Sequence, residues 1–317
     1  MISEPALDRL AAMFRGPDVA GTRYEILSEL GRGGMGLVYL ARDTALDREV
    51  ALKIVDRPSD ADGAAARLAD EARILARLEH PGIVPVHDFG ELPDGRLFYA
   101  MKRVRGDRLD RWTAAEPDRH ARLGVFLRIC DAVAFAHAHG VVHRDLKPEN
   151  VMVAEFGEVL VLDWGAAQLR SADCEWPIAD SGWPVADSGL VVDAPPAGIV
   201  VGTPEYMAPE QARGDAGVDH RADVHALGVM LSAIAAGSPA LVAIARKARA
   251  ADPADRYQDV PALAADVSRF MAGQAVSAHR ERLLDRAERF IRRYRLPIVL
   301  VLAYLVMRVL LLWLFRI

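Results

Sequence analysis

Two stretches near the N-terminus hold residue types that suit phosphate chemistry. Gly31-Arg32-Gly33-Gly34-Met35-Gly36 matches G-x-G-x-x-G. The glycines let backbone N–H groups approach an anion closely. Taken alone, the motif also fits an ordinary glycine turn. Its dinucleotide-binding form needs a helix directly after the glycines. Here Leu37-Val38-Tyr39-Leu40 follows, which reads as a strand. The spacing therefore predicts a glycine hairpin covering the phosphates of a nucleotide, with Gly31, Gly33, Gly34 and Gly36 as its backbone. Lys53 comes next, at the end of Val50-Ala51-Leu52-Lys53, and is one of only four lysines against 35 arginines. An ammonium there suits a point contact to α- and β-phosphates. A buried lysine needs a fixed anion, and Glu71 on the following segment can supply it, although most helical glutamates face solvent.

The elements that must hold these groups can be read from periodicity. Arg23–Leu30, Gly36–Asp43 and Arg48–Asp56 alternate β-branched or aromatic residues with polar ones, and turn residues separate them. Residues 64–79 carry apolar groups at Leu68, Ala72, Leu75 and Leu78, a helical spacing. Two more strands flank the Pro93-Asp94-Gly95 turn. Beyond Gly106 the pattern becomes helical, with helices expected over 120–139, 221–236 and 240–250. The change from strand-rich to helix-rich suggests two lobes of one α+β unit. The chain has 317 residues, 52% hydrophobic and 26% charged, which excludes a disordered protein. Its net charge of −5 argues against a nucleic-acid binder. Two cysteines, Cys130 and Cys174, make no disulfide framework and point to a reducing compartment. No apolar run follows the N-terminus, so no secretory signal peptide is expected.

His143-Arg144-Asp145-Leu146-Lys147-Pro148-Glu149-Asn150 is the most specific stretch in the chain. Coming after the glycine loop and Val-Ala-Leu-Lys, it resembles the catalytic loop of eukaryotic-type (Hanks-type) Ser/Thr protein kinases of bacteria. The motifs in order cover about residues 23–275. The resemblance implies a bilobal kinase fold that uses ATP and Mg²⁺, or Mn²⁺ in its place. It also implies protein substrates. Asp145 would accept the substrate hydroxyl proton, Lys147 would steady the γ-phosphate, and Asn150 and Asp163 would hold the metal. Val38, Ala51 and Met152 would sandwich the adenine. Met101 would be the gatekeeper, and the backbone from Lys102 to Val104 the hinge. Trp164 replaces the family's usual Phe; its expected contacts are Leu75 and His143, with Asp223 below His143, and its indole N–H needs a partner. Thr203, in Gly202–Glu210, would hydrogen-bond near Asp145 and Lys147. Glu210 would form a buried pair with Arg256.

The chain also departs from the family. After Asp223–Gly228, Gly237-Ser238-Pro239 leads almost directly into Ala240–Gln258, so a helix that helps dock protein substrates is expected to be missing. Residues 171–199 hold a near-repeat, Trp176–Gly182 and Trp183–Gly189, which reads as a long loop. Ser181 and Ser188, one per copy, are candidate phosphosites that Arg144 could sense. His137 and His139 near a helix end read as partners of its dipole. Residues 280–295 carry seven Arg against Glu281, Asp285 and Glu288, and Leu296–Phe315 has a single charge, Arg308. That length suits a transmembrane helix. The basic flank then puts a kinase homodimer or monomer on the cytoplasmic face of the cell membrane, in contact with lipid, as a single-pass protein. The expected organisation is an N-terminal extension (1–22), N-lobe (23–104), C-lobe (105–275), basic juxtamembrane helix (276–295) and membrane helix (296–316). A nucleotide-binding pseudokinase or scaffold at the membrane is the alternative, favoured by the missing docking helix. A small-molecule kinase is a third, opposed by the Gly202–Glu210 segment.

Overall fold

The computed structural model describes residues 17–33, 36–55, 63–116, 118–169, 202–215, 217–234, 237–279 and 295–315. Strands β1 (Tyr24–Gly33), β2 (Gly36–Asp43), β3 (Arg48–Ile54), β4 (Val86–Glu91) and β5 (Leu97–Lys102) form one antiparallel sheet in the order β1-β2-β3-β5-β4. Residues directly opposite each other in an antiparallel ladder share a face. The pairs Val38↔Lys53, Ala51↔Met101 and Lys53↔Tyr99 therefore set five side chains on one face. The pairs Tyr39↔Leu52, Leu37↔Ile54, Leu52↔Ala100 and Ile54↔Phe98 set the opposite face. That second face closes with Tyr24 and Leu92 into a small apolar core of its own.

Helix α1 (Ala64–Arg77) packs under the first face through Leu68, Ala72 and Leu75, and Glu71 lies on the same buried stripe. The C-terminal half is helical: α2 (Leu109–Ala115), α3 (Arg119–Ala138), α4 (Pro209–Ala212), α5 (Arg221–Ile234), α6 (Pro239–Ala248) and α7 (Val260–Met271). Asp118 caps α3 by accepting from the backbone N–H groups of His120 and Ala121 at 3.0 and 3.1 Å. The helix then buries Leu123, Phe126, Ile129, Cys130 and Val133 in the main core, which also takes in Leu75, Trp164 and Leu227. Short strands β6 (Gly106–Arg108), β8 (Val151–Ala154) and β9 (Val159–Val161) form one ladder, and β7 (Val141–Val142) pairs with β10 (Gln168–Leu169). They bring the segments around Asp145 and Asp163 together.

The link from α5 to α6 is residues 235–238, too short for another helix. The two helices instead pack directly. A Cβ at Gly228 would sit 2.7 Å from the Ala248 Cβ and 2.8 Å from the Arg249 Cγ, so the crossing requires glycine.

One expectation is corrected here. Among the described residues no helix is long and apolar enough to cross a membrane. Helix α8 (Arg295–Phe315) does form, and its side chains are described over 297–311 and 313. Those side chains are exposed, Leu300 at 67% and Trp313 at 77%. The basic segment at 280–294 lies outside the described residues.

Candidate active site

The glycine segment is a hairpin between strands, as its sequence implies. Gly33 pairs with Gly36 at the end of the β1–β2 ladder, and a strand follows. Gly36 has φ 155°, and a Cβ there would lie 2.2 Å from the Ile54 carbonyl oxygen. The hairpin therefore lies directly against the end of β3, next to Lys53. Gly34 is outside the described residues.

Lys53 is buried and donates to both Glu71 oxygens at 2.8 and 2.7 Å, and to Asp163 Oδ1 at 2.9 Å. Burial opposes its charge, but the two carboxylates outweigh burial and hold its pKa above the usual value. For Asp163 burial acts in the opposite sense from Lys53, and Lys53 wins, holding the carboxyl below its usual range. Asp163 therefore stays ionised, with nearly half of its side chain exposed. Glu71, only 1% exposed, is raised by burial against the pull of Lys53.

The catalytic loop is tightly bound internally. Asp145 Oδ1 accepts from the Thr203 backbone N–H (2.8 Å) and hydroxyl (2.9 Å), and Oδ2 accepts from Lys147 Nζ at 2.7 Å. Lys147 also donates to Thr203 Oγ1 at 2.7 Å. Asn150 spends its Nδ2 on the Asp145 carbonyl at 2.9 Å, which leaves its carbonyl oxygen available as a ligand. Two residues here adopt left-handed backbone, Arg144 (φ 67°) and Asp163 (φ 55°), which is costly for non-glycine residues. Asp223 supports the first of these. It is 1% exposed, and its carboxylate accepts from the backbone N–H groups of His143 and Arg144, both at 2.8 Å. Trp164 is fully buried. Its ring lies 4.6 Å from that of His143, as expected, and its Nε1 reaches the Val161 carbonyl at a long 3.4 Å. Leu75 shares its core.

Val38, Ala51 and Met101 share the sheet face that carries Lys53, and Met152 lies half-buried on β8. Lys102 and Val104 are half-buried at and beyond the end of β5. Glu210 and Arg256 form the expected buried pair at 2.6 and 2.7 Å. Ser181 and Ser188 lie outside the described residues. The sequence reading missed two contacts. His137 is not simply a partner of the α3 dipole: its Nε2 lies 2.8 Å from Asp223 Oδ2, so it helps hold the loop support. Tyr99 donates its hydroxyl to Glu71 Oε1 at 3.0 Å. Only the β3–β5 register, which sequence periodicity leaves open, could have revealed that contact.

The family pattern for a protein kinase domain matches residues 24–293. The chain belongs to the protein kinase family. Relatives include the serine/threonine-protein kinase PknD of Chlamydia caviae, 34% identical over 79% of this chain and 31% of that protein. The DNA damage-responsive serine/threonine-protein kinase RqkA of Deinococcus radiodurans is 40% identical over 69% of this chain and 30% of its own length. The chain thus spans about a third of the length of these curated relatives. Among solved structures, the PknI kinase domain of Mycobacterium tuberculosis is similar, with TM-score 0.57, 27% identity, and coverage of 81% of this chain and 99% of that one.

The residues present fit what a protein kinase site must hold. Among the described residues no group of three His, Cys, Asp or Glu makes an all-protein metal cage. Mg²⁺ in nucleotide sites needs none, because one or two protein ligands suffice beside the phosphates. Asp163, through its charge, and the side-chain carbonyl oxygen of Asn150, through its position, would be those ligands.

Proposed function

We propose that this chain is a Ser/Thr protein kinase that transfers the γ-phosphate of ATP to protein hydroxyls. The observation that carries the reading is the Asp145–Lys147–Thr203 cluster, joined to an intact Lys53–Glu71 pair. Asp145 takes the proton of the substrate hydroxyl. Lys147, already 2.7 Å from Asp145, supplies positive charge beside the attacking oxygen. Lys53 contacts the α- and β-phosphates, and the glycine hairpin covers them with backbone N–H groups. Met101, Ala51, Val38 and Met152 flank the base. When bound, Mg²⁺ neutralises phosphate charge at Asp163 and Asn150. A radiolabelled-ATP assay of the full chain with Mg²⁺ or Mn²⁺ tests this. Transfer to itself or to generic protein substrates is expected, and no transfer to either leaves the scaffold reading in its place. That second reading is favoured by the α5–α6 link, which removes a docking element without touching the phosphate groups.

Membrane attachment is part of the same proposal. It is supported by the exposed apolar side chains of α8 and by the seven arginines of 280–295. Full-length protein should sediment with membranes, whereas truncation after His279 should leave it in the supernatant. Release by salt alone would reduce the attachment to a peripheral basic contact.

Control by phosphorylation is the third part. Arg144 donates Nη2 to the Val218 carbonyl at 2.9 Å, and its buried Nε has no partner among the described residues. A phosphate at Ser181 or Ser188 would offer acceptors to such a donor. Phosphopeptide mapping after autophosphorylation should find one of these serines, and a double Ser→Ala variant should lose activity. Wild-type activity in that variant rejects the switch.

A further inference from the structure

Glu71 sits deep in the protein, and two side chains hold it. Lys53 donates to both of its oxygens, while Tyr99 donates its hydroxyl to Oε1 at 3.0 Å. The two donors differ in what else they must do. Lys53 is already shared with Asp163 at 2.9 Å, and in phosphoryl transfer it must also meet the nucleotide phosphates. Tyr99 has no such second duty. It is 1% exposed, on β5, directly opposite Lys53 in the β3–β5 ladder. Its neighbours Phe98 and Ala100 are locked into the second core on the other face of the sheet, so the strand cannot roll. Burial and the Glu71 charge push the phenol pKa well above its usual value, so the hydroxyl stays a donor throughout the working pH range.

We propose that Tyr99 is a positioning residue for phosphoryl transfer. Its hydroxyl anchors Glu71, and with it helix α1, to strand β5, so that the Lys53–Glu71 pair keeps its place while Lys53 also meets the nucleotide phosphates. This rests on the reading of Lys53 and Glu71 as the pair that orients ATP. Strand β5 also carries Met101 and leads into Lys102–Val104. One rigid strand thus links the position of α1 to the backbone proposed to hold the adenine. A tyrosine here gives Glu71 a second donor beside Lys53, which a Phe or an aliphatic residue could not do.

The experiment compares wild type, Tyr99→Phe, Glu71→Gln and the double variant in full-length protein. It measures kcat and KM for ATP over a range of pH, with thermal unfolding in parallel. Phe keeps the ring and its packing. A lost hydrogen bond to a charged group corresponds to about a ten-fold or greater fall in kcat/KM. That fall is expected in the wild-type background, and little further change on top of Glu71→Gln. The groups facing Glu71 are Lys53 from β3, Tyr99 from β5 and Asp163 from the segment after β9. Lys53 and Tyr99 lower its pKa, and Asp163 raises it. The Glu71 carboxyl must be ionised to hold Lys53, so activity falls as pH drops through its pKa. Removing the Tyr99 hydroxyl raises that pKa, and the acid limb of the profile should move to higher pH. A packing role would not move that limb. Tyr99→Phe with wild-type kcat/KM and an unmoved limb overturns the proposal. So does an equal loss in both backgrounds. These outcomes are all read against an active wild type, so they stay distinct from failure of the kinase reading itself.

Discussion

Asp145→Asn is expected to lower turnover by about 10²–10⁴-fold, the contribution of a positioned general base, with ATP binding retained. The amide is nearly isosteric, and Oδ1 can still accept from both groups of Thr203. Asn150 would keep its place, since it bonds chiefly to the Asp145 main-chain carbonyl, and Lys147, which loses its bond to Oδ2, keeps the one to Thr203 Oγ1. What disappears is the carboxylate that takes the proton. The nucleotide groups at Lys53, Glu71 and the glycine hairpin belong to the other lobe and do not change. Asp163→Asn makes the contrast. It removes the ionised oxygen that Lys53 keeps charged against burial, so metal-nucleotide engagement should weaken and KM for ATP should rise. A steady-state comparison of kcat and KM across the two variants separates the roles. Equal KM effects in both would contradict them.

Arg256→Ala is expected to cost about 3–5 kcal/mol of folding stability, because it leaves Glu210 buried without its charge partner. Against a typical total of about 5–15 kcal/mol, that is a large fraction. The guanidinium is fully used. Nη1 and Nη2 bind the two Glu210 oxygens, and the remaining N–H groups go to the carbonyls of Ala250, Arg221 and Ala251. One side chain thereby ties α4, the start of α5 and the loop before α7. Arg256→Lys keeps the charge but loses the planar fork, so it should recover only part of the loss. Burial alone would raise the Glu210 carboxyl, yet the Arg256 hydrogen bonds hold it below the usual carboxylate range. A depressed carboxylate adds stability above its unfolded pKa and loses it as pH falls through the folded value. Urea unfolding should therefore show a flatter acid-side dependence in Glu210→Gln than in wild type. An Arg256→Ala midpoint equal to wild type would remove the pair from the account.

Much of this protein is set locally and could be read from the chain. The hairpin form of the glycine loop follows from Leu37–Leu40, because alternating β-branched and aromatic residues cannot start the helix a dinucleotide site needs. The joint placement of Asp145, Lys147 and Asn150 follows from their five-residue spacing, and Cys130 follows from the apolar face of its helix. The short step from α5 to α6 is a matter of counting residues. Other features depend on contacts between residues far apart in sequence. Glu71 has helical spacing like any surface glutamate, and only the packing of α1 under the sheet buries it beside Lys53. Tyr99 reads as a core aromatic until the register of β5 on β3 aims its hydroxyl at Glu71. His137 reads as a helix-end histidine until α5 brings Asp223, 86 residues away, within 2.8 Å. The left-handed backbone of Arg144 and Asp163 leaves no mark on composition, since that strain is held by Asp223 and by the packed neighbours. Helix α8 shows the converse. Its sequence promises a span, but side-chain exposure on an apolar helix depends on what surrounds it, and a sequence of Leu and Val does not record that. Periodicity and motif spacing report the forces acting within a few residues along the chain. Burial, register and charge pairing arise only when distant segments exclude water from one another.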